Sequence, residues 1–479
     1  MSSHTIPLPG DPAEIPPADK PTRAVDRSKP LTLRANFSWT AFGSVFYNIC
    51  QCSLFIVIAK IGCTEMAGQY TIGLAFTAPI MIFFGSNLRA IIVSDVRREC
   101  PIGGYMTFRL ISLVVAMSLI LTIALSSDYR LETMLIILAV GLAKCIEGIS
   151  AIFFGYFQQN ERMDQIAVSR IAKGVLSILF FAVGIWISGT VLGGVLGLAL
   201  AWLSTLLFFD IPRAFALARH RVLHQNAPME RFRPCWNWPQ LKKLFLLSLP
   251  IGITVMLISL NVNIPRYFIE VFHGETTLGI FGPLSYFMVL GNEVVLALGQ
   301  SAAPRMARYY VHGNRGAIVR LLLREKAVGA VFGISGVVLA ALAGSWALTL
   351  AFGPEYAKYS HVFLLLMLTS GINLVFGFCR MFLTAARAFW IQIPIRICSV
   401  STMALSCLIF IPSDGISGAA IAMLLSASVH ATLVTVATIF VLRRMPTANT
   451  EATQPHTLIL HETTPPDPIL DTPGAKITA

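Results

Sequence analysis

Long apolar runs recur along the whole chain and are separated by short polar segments. Each run is long enough to cross the hydrocarbon core of a bilayer, which takes roughly 20 mostly apolar residues in a helix. Gly and Pro inside several runs are compatible with this, because membrane helices tolerate both. The pattern predicts twelve membrane helices, at 36–59, 69–93, 108–126, 133–156, 166–187, 190–211, 241–264, 278–301, 325–346, 359–382, 389–411 and 416–441.

The composition agrees with this pattern. Of the 479 residues, 55% are hydrophobic and 13% are charged, whereas an ordinary soluble domain is about 25% charged. The predicted fold class is therefore an all-α polytopic membrane protein without a large soluble domain. The nine cysteines form no CxxC pair, so we expect no metal site, and we predict no other cofactor.

The formal net charge of +12 follows from cations in the loops rather than from a nucleic-acid surface. The loops on the N-terminal side are rich in Lys and Arg, and we place Arg109, Arg170 and Lys173 in them. The opposite loops hold only Lys60, Arg130, Arg266 and Lys358. Because cytoplasmic loops carry the excess of Lys and Arg, both termini are predicted to be cytoplasmic, in a bacterial inner membrane.

The chain looks like two copies of one unit. Residues 67–70 resemble residues 278–281, and 157–162 align with 382–387. Six helices repeated give two bundles of parallel topology around a central cavity, which is a transporter architecture. The expected organisation is a disordered tail at 1–30 without a signal peptide, a first bundle at 31–217, a linker at 218–240, a second bundle at 241–444 and a disordered tail at 445–479.

The middle of the fourth predicted helix carries two ionisable residues, Lys144 and Glu147. Their spacing puts them on one helical face, where they can form an ion pair. Ionisable groups at membrane depth are functional hypotheses by default. In one interpretation Lys144 offers a cation to an anionic substrate while Glu147 holds it or exchanges a proton. In the other the pair only ties helices together.

The first predicted helix has a polar stripe that ends in Asn48 and Gln51. The three- and four-residue spacing of the stripe is that of one helical face. Such a face either lines a cavity or forms hydrogen bonds to a neighbouring helix.

Other polar residues extend the set of candidates. Arg89 closes the second helix, where it either meets an anionic head group or anchors the interface. Arg266, just after Asn263, is placed near the outer surface, and an interfacial anchor is favoured over contact with a departing phosphate. Glu293 in the eighth helix has no obvious local partner, which favours cavity exposure or protonation. His430 in the twelfth helix is expected to be hydrogen-bonded rather than a titrating switch.

Several segments together resemble one family. They are Asn87 to Ala90 with Asp95; Lys144 and Glu147 followed by Gln158, Glu161 to Asp164 and Ser169; Asn261 with Asn263 to Tyr267; Gly299 to Ser301 with Pro304 and Arg305; and Gly353 to Tyr356. Their order and spacing resemble bacterial oligosaccharide flippases of the polysaccharide transporter (Wzx-like) family. That family lies in the multidrug/oligosaccharidyl-lipid/polysaccharide superfamily. The resemblance runs from about Leu31 to Arg444.

The resemblance implies two six-helix bundles around a cavity and a lipid-linked oligosaccharide as substrate. The carrier would be undecaprenyl pyrophosphate, moved from the inner to the outer leaflet by alternating access, and other polysaccharide assembly proteins would be partners. Lys144, Glu147, Arg89 and Arg266 are the matching positions. A drug/cation antiporter of the same superfamily is the alternative, although Lys144 disfavours the acidic cavity it needs. A polymerase or glycosyltransferase is disfavoured by the short outer loops, and no GxSxG, P-loop or HExxH motif indicates an enzyme.

Overall fold

A computed structural model describes residues 33–445 except 86, 96–97, 128, 226–229 and 231. Within its helices, the side chains of 33–34, 37, 224–225, 290, 292–301, 304 and 389 are not described. The predicted tails, 1–30 and all of 445–479 beyond Met445, lie outside the described residues. The α-helices are α1 (Leu33–Ile61), α2 (Thr64–Gly85), α3 (Leu88–Ser94), α4 (Ile102–Ser126), α5 (Leu131–Gln159), α6 (Met163–Ser188), α7 (Val191–Thr205), α8 (Ile211–Gln225), α9 (Trp238–Val311), α10 (Arg315–Phe352), α11 (Pro354–Ala357), α12 (Ser360–Ala385) and α13 (Phe389–Arg443).

Two of these helices are each broken at a glycine. Gly274 in α9 has φ 77 and Gly415 in α13 has φ 56, which glycine adopts at no steric cost. Within the described residues, 10 helices are long and apolar enough to cross a membrane. Since α9 and α13 each contribute two crossing arms, the described chain has about twelve spans. The predicted all-α polytopic fold is confirmed.

The helices extend further than the apolar runs. Arg109 lies inside α4, and Arg170 and Lys173 lie inside α6, so their predicted placement in loops is wrong. The predicted runs 108–126 and 166–187 already contained these residues, and Arg and Lys, as good helix formers, do not end a helix. With its 38 residues, α10 extends about 57 Å at 1.5 Å per residue, longer than the roughly 30 Å hydrocarbon core.

The chain folds into two halves around a central cavity. Helices α1 to α8 pack mainly on one another, α9 to α13 do the same, and the halves meet chiefly along α2 and α9. We call the membrane side on which α1 begins and α13 ends the terminal side, and the opposite side the far side. The boundaries proposed for the two bundles and the linker remain a prediction, and α8 continues as helix to Gln225.

The two halves are closed against each other on the far side. A Cβ atom built on Gly68 would lie 1.8 Å from the carbonyl oxygen of Glu275, and one on Gly279 would lie 1.8 Å from that of Thr64. Only glycine therefore permits this backbone contact between α2 and the second arm of α9. Nearby, the Tyr267 hydroxyl donates to the carbonyl oxygen of Ala75 at 2.5 Å.

Candidate functional site

The cavity between the halves has two compartments. The terminal-side cavity has a volume of ≈ 470 Å³, and the far-side cavity has a volume of ≈ 320 Å³. Both are lined by Tyr47, Ala78, Lys144 and Glu147. The ion pair predicted from the sequence thus lies where the two compartments meet, at mid-length of α5.

The Lys144–Glu147 pair is bound to neighbouring helices and also open to the cavity. Lys144 Nζ lies 2.9 Å from Glu147 Oε2, and the two side chains expose 28% and 33% of their surface. The Tyr47 hydroxyl of α1 donates to Glu147 Oε1 at 3.1 Å. Lys144 Nζ also lies 5.0 Å from the ring centroid of Trp202 in α7. The pair therefore connects three helices, and its exposed surface remains available to a ligand.

Three arginines surround the terminal-side cavity. Arg89 Nε donates to Gln158 Oε1 at 2.7 Å. Arg109 is buried, and its Nε donates to the carbonyl oxygen of Gly148 at 2.9 Å. Arg170 donates to the hydroxyl of Ser44. All three bonds go to uncharged oxygens, so each guanidinium keeps an uncompensated charge within the described structure.

A fully buried ion pair lies at one edge of the same cavity. Lys173 Nζ is 3.0 Å from Asp210 Oδ2, and the side chains expose 2% and 0%. The Ser169 hydroxyl donates to Asp210 Oδ1 at 2.5 Å. Asp210 ends a π-helical turn, Leu206–Asp210, a distortion found frequently at functional sites.

The balance of charge around the terminal-side cavity is positive. Its described lining contains five cations and one carboxylate, that of Glu147. Lys144 is paired with Glu147 and Lys173 with Asp210. Three guanidiniums remain without a carboxylate among the described residues, an arrangement that suits an anionic group, since guanidinium binds phosphate bidentately.

Arg266 lines the far-side cavity. It is 7% exposed, so the favoured interpretation of an interfacial anchor is wrong. Its Nη1 donates to Asn263 Oδ1 at 2.8 Å, and its Nη2 donates to the Ser285 hydroxyl at 3.2 Å. The break at Gly274 explains the error, because the first arm of α9 continues beyond Arg266 to this glycine, so Arg266 does not lie at the end of its helix.

The far-side cavity has unsatisfied donors. Within the described structure, Arg266 Nε and Gln51 Nε2 are buried without a hydrogen-bond partner. Both side chains line the cavity, as does Asn48, whose Nδ2 donates to the carbonyl oxygen of Ser44 at 3.0 Å. A buried donor without a partner costs free energy, which a polar ligand in this cavity would recover.

The polar stripe of α1 serves both of its predicted roles, at different depths. Near the terminal side, Asn36 Oδ1 accepts a hydrogen bond from the Met163 amide of α6 at 3.2 Å. Further along, Asn48 and Gln51 line the far-side cavity. One face of α1 thus packs against α6 near the terminal side and lines the cavity further along.

The structure brings most of the predicted residues together. Arg89, Lys144 and Glu147 line the terminal-side cavity, and Asn48, Gln51, Asn263 and Arg266 line the far-side cavity. The side chain of Glu293 lies outside those that the structure describes. The sequence did not identify four residues that line the terminal-side cavity: Tyr47, Arg109, Arg170 and Lys173. A signal for Arg170 was available in the repeat, because Arg170 and Arg396 each lie seven residues after the start of their helix.

Comparison with protein families gives the chain its family. Residues 33–310 match the family described as "Polysaccharide biosynthesis protein". The chain belongs to this family. The resemblance found in the sequence motifs is thereby confirmed.

A curated relative and two solved structures are also similar to this chain. The capsular polysaccharide biosynthesis protein CapF of Staphylococcus aureus is 26% identical over 71% of this chain and 83% of its own length. An inward-facing multidrug resistance MATE family transporter of the MOP superfamily matches with a TM-score of 0.66 and 13% identity, over 83% of this chain and 95% of its own. The lipid II flippase MurJ, in an inward closed conformation, matches with a TM-score of 0.66 and 12% identity, over 85% of this chain and 89% of its own. At these identities the two structures show a shared fold.

Proposed function

We propose that this transporter flips oligosaccharide repeat units linked to undecaprenyl pyrophosphate from the inner to the outer leaflet, for the biosynthesis of a surface polysaccharide. The observation that carries the proposal is the excess of cations around the terminal-side cavity, with Lys144 at the junction of both compartments. The family, and the names of CapF and of the lipid II flippase, support a lipid-linked saccharide as cargo.

The chemistry of the cargo explains why these cations are needed. A pyrophosphate is costly to transfer from water into hydrocarbon, because burying an unpaired charge costs far more than burying a neutral group. Arg89, Arg109 and Arg170 replace the lost water with charge-assisted hydrogen bonds. The oligosaccharide occupies the polar interior between the halves, while the isoprenoid tail stays in the bilayer.

The two compartments supply a path for the charged group. The terminal-side arginines receive the pyrophosphate, Lys144 binds it at the midpoint, and Arg266 binds it in the far-side cavity. Rocking of one half against the other then moves access from one side to the other. In the described conformation the halves are closed on the far side, at Gly68 and Gly279, which corresponds to loading from the terminal side.

Sidedness follows from the same proposal. The terminal side is assigned to the cytoplasm of a bacterial inner membrane, where positively charged segments of membrane proteins accumulate. Both chain termini are then cytoplasmic, and the cargo is loaded from the leaflet in which it is synthesised.

A deletion strain and a pair of lysine variants test the function. Deletion should remove the surface polysaccharide and cause undecaprenyl-linked repeat units to accumulate on the cytoplasmic side. Lys144→Ala should fail to restore the polysaccharide at a normal protein level, whereas Lys60→Ala, at the exposed end of α1, should restore it. A strain with normal polysaccharide and new drug sensitivity would instead support the antiporter.

A further inference from the structure

The second half contains a cluster of basic side chains that the cavity just described does not include. We name it the second-half cluster: Arg380 on α12, and Arg396 and His430 on the two arms of α13. Arg396 is 7% exposed, and its neighbour Ile395 belongs to the same buried apolar cluster as Cys379, the residue before Arg380. The hydroxyl oxygens of Ser399 and Ser426 lie 3.1 Å apart on the two arms of α13, and Arg396 and His430 each lie one helical turn from them toward the terminal side.

The second-half cluster lacks a counter-charge. Within the described residues, neither guanidinium forms an ion pair. The Nδ1 atom of His430 is buried without a hydrogen-bond partner. Lys326 Nζ of α10 lies 4.9 Å from the ring centroid of Phe376, which precedes Arg380 by one helical turn on α12. A guanidinium stays charged in a protein, so this arrangement is costly until an anion binds.

In the internal repeat, the arginines of the second-half cluster occupy positions equivalent to residues that line the terminal-side cavity in the first half. Arg396 lies seven residues after the start of α13 at Phe389, as Arg170 does after the start of α6 at Met163. Arg170 lines the terminal-side cavity. Arg380 lies five residues before the end of α12, where α5 has Phe154, another lining residue. Arg396 and Arg170 thus lie at matching depths, and Arg380 lies at the depth of a residue that lines the cavity in the first half.

We infer that the second-half cluster binds the phosphate group of a lipid. The depth supports a lipid, because Arg380 and Arg396 lie about 8–10 Å from the helix ends on the terminal side at 1.5 Å per residue, near the head-group level. Two adjacent guanidiniums match the several oxygens of a phosphate or pyrophosphate. An anionic phospholipid and the carrier lipid both offer this group, and only the assignment to the carrier rests on the proposed function.

Lipid retention in neutral nanodiscs tests this inference. The full-length protein is reconstituted in phosphatidylcholine, and native mass spectrometry counts retained phosphatidylglycerol and, separately, undecaprenyl pyrophosphate. Wild-type protein should retain one such lipid in preference to phosphatidylcholine. Arg380→Gln combined with Arg396→Gln should weaken retention at least tenfold, as expected for the loss of charge-assisted hydrogen bonds. Arg324→Gln on the exposed face of α10 is the matched control and should retain lipid normally.

Further measurements distinguish the possible outcomes of this experiment. Retention of phosphatidylglycerol alone assigns the site to a membrane lipid, and retention of undecaprenyl pyrophosphate assigns it to the carrier. The site should survive in Lys144→Ala, so that a failed transport proposal leaves it intact. Unchanged retention in the double variant would overturn the inference. It would also be overturned if Glu293→Gln lowered the melting temperature of the wild type but not of the double variant, since an internal carboxylate would then be the counter-ion.

Discussion

The two halves differ in which of their cations have a carboxylate. In the first half, Lys144 and Lys173 each have a carboxylate within 3.0 Å, whereas the three arginines of the terminal-side cavity have none among the described residues. In the second half, Arg380 and Arg396 have none among the described residues. The halves are therefore related in their helices but not in their charge.

The difference indicates where a ligand is needed. A paired cation is stable without cargo, so the first half can hold its geometry while the cavity is empty. An unpaired buried cation is stabilised only when an anion arrives, because its desolvation is otherwise uncompensated. The paired lysines of the first half are thus preorganised, whereas the unpaired arginines of either half are stabilised by the anion that they bind.

The largest effect is expected where pairing in the first half is removed. Asp210→Asn leaves Lys173 buried without its carboxylate, which costs about 3–5 kcal/mol for a buried pair. We expect a strongly reduced yield of folded protein and a lower melting temperature in detergent. Asp210→Asn combined with Lys173→Met should recover most of the loss. A single variant as stable as wild type would show that the pairing does not stabilise the first half.

A second large effect is expected where the halves touch. Gly68→Val places side-chain atoms where a Cβ alone would already be 1.8 Å from the carbonyl oxygen of Glu275. The far side can then no longer close, and surface polysaccharide should fall at least tenfold in a complementation assay. Gly336→Val on α10, where a Cβ meets nothing within 4 Å, is the control. Equal polysaccharide in both variants would exclude this contact as a gate.

Features within one helix are predicted from the sequence better than contacts between helices, in both halves. Apolar length alone indicated the twelve spans, and the three-residue spacing indicated the Lys144–Glu147 pair, because both depend on one helix at a time. Arg170 and Ser44 lie 126 positions apart, so that contact depends on the packing of α6 against α1. The position of Arg266 depends on the continuation of α9 to the break at Gly274, ten residues beyond the end of the predicted apolar run at 264.

A moderate effect should follow when the first half is made to resemble the second. Glu147→Gln leaves Lys144 without its carboxylate at a site that is one-third exposed, where water screens the loss and folding should be little affected. The freed ammonium should bind an anionic carrier more tightly, by about tenfold for one additional charge-assisted bond. Titration with undecaprenyl pyrophosphate measures the affinity, and complementation measures the slower release that tighter binding brings. Weaker binding would mean that Glu147 helps to hold the cargo.

The smallest effect concerns how the pair is positioned. Tyr47→Phe removes the hydrogen bond of 3.1 Å from α1 to Glu147 but leaves the charge of the pair unchanged. A single bond of this kind contributes about 0.5–1.5 kcal/mol, so carrier affinity should change less than in Glu147→Gln, and in the same direction, since Glu147 is held less firmly against Lys144. If Tyr47→Phe matched Glu147→Gln in affinity, the position of the carboxylate rather than its charge would control how the first half holds an anion.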